Sequence, residues 1–333
     1  MNEMARIVKI DAVDKHPDAD SLDICTVGGW KVVTKLGEFK SGDVAIYCRI
    51  DSWIPHALAP FLSKGREPSE FEGIKGERLR TVRLRKQLSQ GLILPLSVAG
   101  LMEYFIGMDV SERLGIIKYE PPVPAQLAGV VKGAWPSAVP KTDEERIQNL
   151  VSEWPELSQL TYEVTEKLEG SSMTVAMIDN EFIVCSRNLN LKETEGNTLW
   201  AMARKYDIEA RMRAQGLDNI AIQGELIGEG VQGNHYGIKG QDFYVYSIYD
   251  VARGIYLGPI VRKSIVDLLG LKHVPVINEC ANLAAYSVEE ILEWANGTSL
   301  LNPSKLREGL VFKATCDQAH WKAVSNQYLL KHG

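Results

Sequence analysis

The stretch YEVTEKLEG, Tyr162 to Gly170, decides how the rest of this chain is read. Its first half alternates, so Tyr162 and Val164 fall on one side of an extended strand and Glu163 and Thr165 on the other. It ends in a lysine, Lys167, set between Glu166 and Glu169, with Gly170 closing the phrase. An amine at the end of a strand stands on a rigid element, where a reacting group is best held. Taken alone the phrase is equally a solvated surface turn, because Lys-x-x-Gly recurs by chance about once in a couple of hundred residues.

The 333 residues suit two domains at roughly 150 residues each. Hydrophobic residues make up 45% and charged residues 24%, the balance of a globular chain. Cys25, Cys48, Cys185, Cys280 and Cys316 are scattered, with no C-x-x-C pair. That argues against a disulfide framework or a zinc site and for a reducing compartment. The N-terminus carries no apolar leader and no run of 18 apolar residues occurs, so a soluble, cytoplasmic protein without a signal peptide or membrane partner is expected. A net charge of −6 gives no bulk attraction to nucleic acid, so any polyanion must meet a local patch. IKGERLRTVRLRK, residues 74–86, supplies Lys75, Arg78, Arg80, Arg83, Arg85 and Lys86 against Glu77 alone. On one strand, the period of two places Arg78 with Arg80, and Arg83 with Arg85, on common faces. Such a strand is either an edge kept soluble by charge or a nucleic-acid contact.

Residues 1–118 read as mostly β. ARIVKIDAV, LDICTVGG, WKVVTKL, DVAIYCRI and GLILPLSV are short β-branched runs punctuated by Gly, Asp and Ser. That many short strands predict a small closed barrel, with an OB-fold as the natural candidate. A Pro/Gly-rich linker is expected over 119–140. Thr142 with Glu145 then forms a capping-box pattern, predicting a helix that carries Arg146 and Gln148 to about Glu153. Over 141–333 strands and amphipathic helices mix. NTLWAMARKYDIEARMRAQG and SVEEILEWANG read as helices, the second opened by Ser287 and Glu290 and stopped at Gly297. The fold class is α+β: an OB-like β-barrel followed by a domain of antiparallel sheets with flanking helices.

Further phrases follow the lysine in order. CSRN places Arg187 after a β run, and QGELIGEGVQGNHYG places Glu225 at the end of another. DFYVYSIYD sets Tyr244 and Tyr246 on one face, REGLVFKA sets Glu308 before a strand, and HWKAVSNQYLLK places Lys322 beside Trp321. In this order they resemble the six motifs of the covalent nucleotidyltransferase superfamily of ATP-dependent RNA and DNA ligases and capping enzymes, over residues 141–331. Gly-Glu-Leu-x-Gly-x-Gly-Val-Gln-x-Asn, residues 224–234, is most like RNA ligases. An OB-like module before the transferase resembles the Deinococcus-type RNA ligase 5 family. The sequence departs from the pattern at the last motif, where many relatives have two lysines two residues apart and Lys322 is followed by Ala323 and Val324. Lys313 or Lys331 would then supply the second charge, or Lys322 serves alone.

The resemblance implies an ATP-dependent RNA ligase that joins 3′-OH and 5′-phosphate ends of RNA, acting as a monomer in nick repair. Lys167 would attack the α-phosphate of ATP to form lysyl-AMP, the AMP would pass to the RNA 5′-phosphate, and a 3′-OH would displace it. Glu166 would read adenine, Tyr246 would stack on it, and Glu169 would sit near the ribose or the metal's waters. Glu225 and Glu308 would hold Mg²⁺ or Mn²⁺, and Gly170 would keep the turn clear beside the nucleotide. Lys322 and Arg187 would contact the α-phosphate or ribose, Arg146 the phosphates, and Arg78, Arg80, Arg83, Arg85 and Lys86 the RNA. A lysine attacks only when neutral, so burial and the cations Arg187, Lys322 and a bound metal are expected to lower its pKa. The alternatives are a DNA ligase, a capping-type nucleotidyltransferase, and a non-catalytic OB-fold nucleic-acid-binding protein.

Overall fold

A computed structural model describes residues 3–120, 130–316 and 319–332. The chain divides into two compact units rather than at one cut: Met1–Pro122 with Gln148–Ser152 and Leu329–Gly333, and Val123–Ile147 with Glu153–Tyr328.

The first unit is built from short strands. The expected run ARIVKIDAV breaks into β1 (Ala5–Lys9) and β2 (Ala12–Lys15). Then come β3 (Leu22–Val27), β4 (Trp30–Lys35), β5 (Val44–Cys48), β6 (Ser52–Pro55), β7 (Ser69–Phe71) and β8 (Ile74–Arg78). β9 (Val82–Leu84), β10 (Gln87–Ser89), β11 (Leu92–Pro95) and β12 (Ile117–Lys118) complete it. They pair as β1-β5-β11, β2-β3-β4, β12-β6-β8-β7 and a β9–β10 hairpin. Alternation along β4 buries Trp30, Val32 and Thr34, exposes Lys31 and Lys35 and leaves Val33 partly buried, the pattern of a strand with one wet face. Trp30, Tyr47, Ile7 and Ile46 fill the interior.

The basic stretch is not one strand. Its two halves lie on β8 and β9, in different sheets, because Leu79 turns into the core between them. Arg85 and Lys86, at φ +45° and +72°, form the two-residue turn of the β9–β10 hairpin, a turn that needs two left-handed residues.

In the second unit, residues 121–129 of the expected linker lie outside the described residues, and 131–134 is a strand, β13 (Val131–Ala134). The helix expected after Thr142 does not form. Glu145–Arg146 is a short strand, β14, which leads into a 3₁₀ turn at Ile147–Asn149, and the first α-helix, α1, is Trp154–Leu157. Parallel pairing of β14 with a late strand outcompetes a cap whose helix has no continuous apolar stripe.

β15 (Thr161–Lys167), β16 (Ser171–Ile178), β17 (Glu181–Cys185) and β18 (Leu189–Leu191) follow. The single helix expected at 197–216 is two, α2 (Thr198–Lys205) and α3 (Ile208–Ala214), broken at left-handed Asp207. Then come β19 (Ile220–Gly228), β20 (Gln241–Asp250), β21 (Ile255–Tyr256), α4 (Pro259–Leu268), β22 (Lys272–His273) and β23 (Val276–Asn282). α5 (Val288–Ala295), β24 (Gly309–Ala314), β25 (His320–Val324) and α6 (Asn326–His332) end the chain. The Ser287–Glu290 capping box of α5 is present on both sides.

Two sheets carry this unit: β13-β18-β17-β16-β19-β20-β21, with β22 beside β20, and β14-β25-β24-β15-β23. One core, including Met173, Val175, Phe243 and Val245, lies under the larger sheet with α2, α3 and α4. On the smaller sheet Phe312 stacks on Trp321 at 3.9 Å, with Tyr162 edge-on to both.

Candidate active site

Register puts the chemistry at one end of both sheets. Lys167 is the last residue of β15 and faces Gly309, so Glu308 reaches the same end from β24. Lys322 on β25 pairs with Val311 on one side and with Arg146 of β14 on the other. On the larger sheet Ser172 faces Glu225, which in turn faces Tyr244. Arg187 follows β17.

Lys167 Nζ donates to Glu308 Oε1 at 2.6 Å, and both side chains are partly buried. The structure reverses the direction expected for this lysine. Burial works to lower its pKa, but Glu308, Glu225 and Glu169 outweigh burial and hold it above the ordinary lysine value. Glu308, which accepts that hydrogen bond, is 141 residues away in the chain.

The carboxylates crowd one another. Burial, with repulsion from Glu308 added, pushes Glu169 up to about 7 despite Lys167. Burial pushes Glu225 up to about 8, with Lys167 opposing and Glu308 and Glu169 adding to the rise. Like charges held out of water relax when a cation joins them. Among the described residues no group of three or more His, Cys, Asp or Glu forms a direct ligand cluster.

The two glutamates beside the lysine have separate surroundings. Glu166 is 1% exposed, and its Oε2 accepts from the Leu300 N–H at 2.8 Å. Burial pushes its carboxyl up, against Ser299 and Leu300. Its Oε1 is buried without a hydrogen bond of good geometry, which leaves an acceptor for a ligand donor. Glu169 is fixed through its backbone, whose N–H donates to the Tyr236 hydroxyl at 2.6 Å.

Gly170 also answers to packing. A Cβ there would lie 2.4 Å from the Leu226 carbonyl oxygen and 2.8 Å from Glu225 Cγ and Ile227 Cγ2. The glycine lets β16 pass close across β19.

Burial lowers the Lys322 pKa, Asp143 opposes, and Lys167 and Arg146 add to the lowering. Tyr246 lies in the same group, with its hydroxyl 2.9 Å from Thr142 Oγ1 and 3.5 Å from Ser172 Oγ. Its phenol is raised by burial and by Glu225. Lys313, one candidate for the second charge of the last motif, is turned elsewhere: its amine bonds the Tyr246 carbonyl and Ser247 Oγ. Lys331 lies in the last turn of α6, whose residues from Leu329 onward belong to the first unit.

The sequence reading gave Asp143 and Tyr236 no role. Asp143 binds both Lys322, at 3.3 Å, and Arg187, at 3.1 Å. The only signal for Asp143 was its place in KTDEE, read as a helix start, and Tyr236 stood in the quoted GNHYG phrase.

An RNA ligase family model matches residues 160–331, and an OB-fold domain model matches residues 4–96. The chain belongs to the RNA ligase family. Among solved structures it is similar to the RNA ligase of Naegleria gruberi, at 43% identity. A complex of that ligase with PPi superposes with TM-score 0.93 over 100% of this chain and 99% of that one. A lysine-to-alanine mutant of it with ATP and Mn gives 0.92 over 99% of each, and a glutamate-to-alanine mutant with AMP and Mn gives 0.93 over 99% of each. No curated protein matches significantly. RNA is therefore the substrate of this ligase, and the expected α+β architecture of OB-fold and ligase domains stands.

In the first unit, Arg78 pairs with Asp51 at 2.6 Å and lies over the Tyr119 ring at 5.0 Å. Arg80, Arg83, Arg85 and Lys86 are exposed. No helix among the described residues is long and apolar enough to cross a membrane.

Proposed function

We propose that this ligase seals RNA 3′-OH and 5′-phosphate ends at nicks, as a monomer, using ATP and passing through lysyl-AMP on Lys167. The observation that carries this reading is the convergence of Lys167, Glu225 and Lys322, on three strands of two sheets, with Glu308, the residue before β24.

ATP enters with adenine toward Glu166, whose free Oε1 accepts from the exocyclic amine, and against Tyr246. Lys322 and Arg187 hold the α-phosphate, and Arg146, beside Lys322 on β14, faces the leaving phosphates. Glu225 and Glu308, with Glu169 behind them, would hold Mg²⁺ or Mn²⁺. Bound there, the ion would supply positive charge that offsets the phosphates and these carboxylates. Lys167, no longer held as an ammonium by the carboxylates, gives its proton to water before it attacks. Lys167 Nζ then attacks the α-phosphorus and pyrophosphate leaves. The RNA 5′-phosphate oxygen next takes the AMP from Nζ, which returns to an amine. Last, the 3′-OH attacks the activated phosphate, forming the phosphodiester and expelling AMP. The hairpin cations Arg83, Arg85 and Lys86, with Arg80, grip the RNA backbone.

The test is incubation with α-³²P-ATP and Mn²⁺, followed by a denaturing gel. Wild type retains label, whereas Lys167→Ala and Glu308→Ala lose it. Label that persists in Lys167→Ala removes that lysine as nucleophile.

A further inference from the structure

The segment between Pro140 and Ile147 crosses the candidate phosphate site and contains no apolar residue: Lys-Thr-Asp-Glu-Glu-Arg. Val139 and Ile147, at 2% and 0% exposure, anchor its two ends in the core. Between them the ties are polar. Lys141 Nζ donates to Asn188 Oδ1 at 2.9 Å, and Thr142 meets the Tyr246 hydroxyl. Asp143 splits its carboxylate, with Oδ1 on Lys322 and Oδ2 on Arg187.

Those two cations are the ones assigned above to the α-phosphate, and the inference rests on that assignment. A carboxylate bridging a guanidinium and an ammonium makes the contacts that two phosphate oxygens would make. Asp143 is half exposed, at 51%, as is Arg187, at 56%. Ion pairs of that exposure are weak and easily exchanged. Lys322 differs: its side chain is 15% exposed, so an anionic partner matters to it in every state of the site.

We propose that Asp143 is an internal counter-anion that ATP displaces. It holds Arg187 and Lys322 in place, then yields them to the α-phosphate as its side chain turns away, with β14 kept in its sheet. Asp143 thereby sets nucleotide affinity without touching the reacting atoms. When AMP leaves with the RNA end, the carboxylate recaptures both cations and competes against rebinding.

The experiment measures the initial rate of protein adenylylation against ATP concentration, in Mn²⁺, for wild type, Asp143→Asn, Asp143→Glu and Lys322→Ala. Removing the competing charge in Asp143→Asn lowers the KM for ATP about three- to tenfold with the plateau rate kept. Asp143→Glu, which keeps the charge, stays near wild type. An unchanged or raised KM in Asp143→Asn overturns the proposal. A raised KM would mean that Asp143 orients the cations while ATP is bound. Lys322→Ala tests the assignment underneath: a KM equal to wild type there shows that Lys322 does not hold the phosphate, whatever Asp143 does.

Discussion

Replacing Gly170 with alanine separates two reasons for a glycine after the nucleophile. The added Cβ would lie 2.4 Å from the Leu226 carbonyl oxygen. That oxygen belongs to β19, which is paired on one side with β16 and on the other with β20, so the backbone cannot step aside. Overpacking of this kind costs about 1–3 kcal/mol. For a unit of this size each kcal/mol moves Tm by about 2–4 °C, and a cost near the middle of the range lowers Tm by about 4–8 °C. Glu225 Cγ stands 2.8 Å from the same Cβ, so adenylylation falls together with stability. Gly133→Ala is the control, because nothing lies within 4 Å of its Cβ; its Tm holds or rises slightly. The assays are thermal unfolding and adenylylation of the same preparations. Wild-type Tm with weakened ATP affinity in Gly170→Ala would refute the packing argument and restore the view that the glycine leaves room for nucleotide.

Two further outcomes are expected. Replacing Arg83, Arg85 and Lys86 together with alanine weakens RNA binding and flattens its logarithmic salt dependence by about two to three units, with adenylylation kept; an unchanged slope removes the hairpin from the RNA contact. Burial and the neighbouring Arg262 lower the His273 pKa, against Val274 and Glu163, which favours the neutral imidazole in the folded protein. Its contribution is present above the unfolded-state value near 6.5 and is lost as pH falls below it, so the Tm drop from pH 7.5 to 5.5 is smaller in His273→Gln than in wild type. An equal drop in both would assign the acid sensitivity to other groups.

Local periodicity made most of the fold legible. The alternation in WKVVTK and in YEVTEK appears as β4 and β15, and the Ser287 cap lies where its two residues predicted. Errors came where a distant partner decides. Nothing local in KTDEERIQN announces that β25 will pair with Glu145 and Arg146, and nothing in the arginine-rich run shows that Leu79 dips into the core. The site behaves the same way. Motif order brought out Lys167, Glu225, Glu308 and Lys322, but not which groups touch. The Lys167–Glu308 pair that reverses the lysine's pKa, and the Asp143 bridge, are contacts across more than 140 and nearly 180 residues.

The placement of β15 has a consequence during synthesis. The strand that carries the nucleophile lies between β23 and β24, both of which leave the ribosome more than 100 residues later. At roughly 5–20 residues per second, its two edges wait on the order of ten seconds for partners. Through that interval a strand rich in buried side chains offers unpaired N–H and C=O groups to any passing edge. Charge within its length, at Glu163, Glu166 and Lys167, is what the nascent segment has to keep it apart from other chains. Carboxylates buried in the finished protein thus act first as guards of an unfinished one.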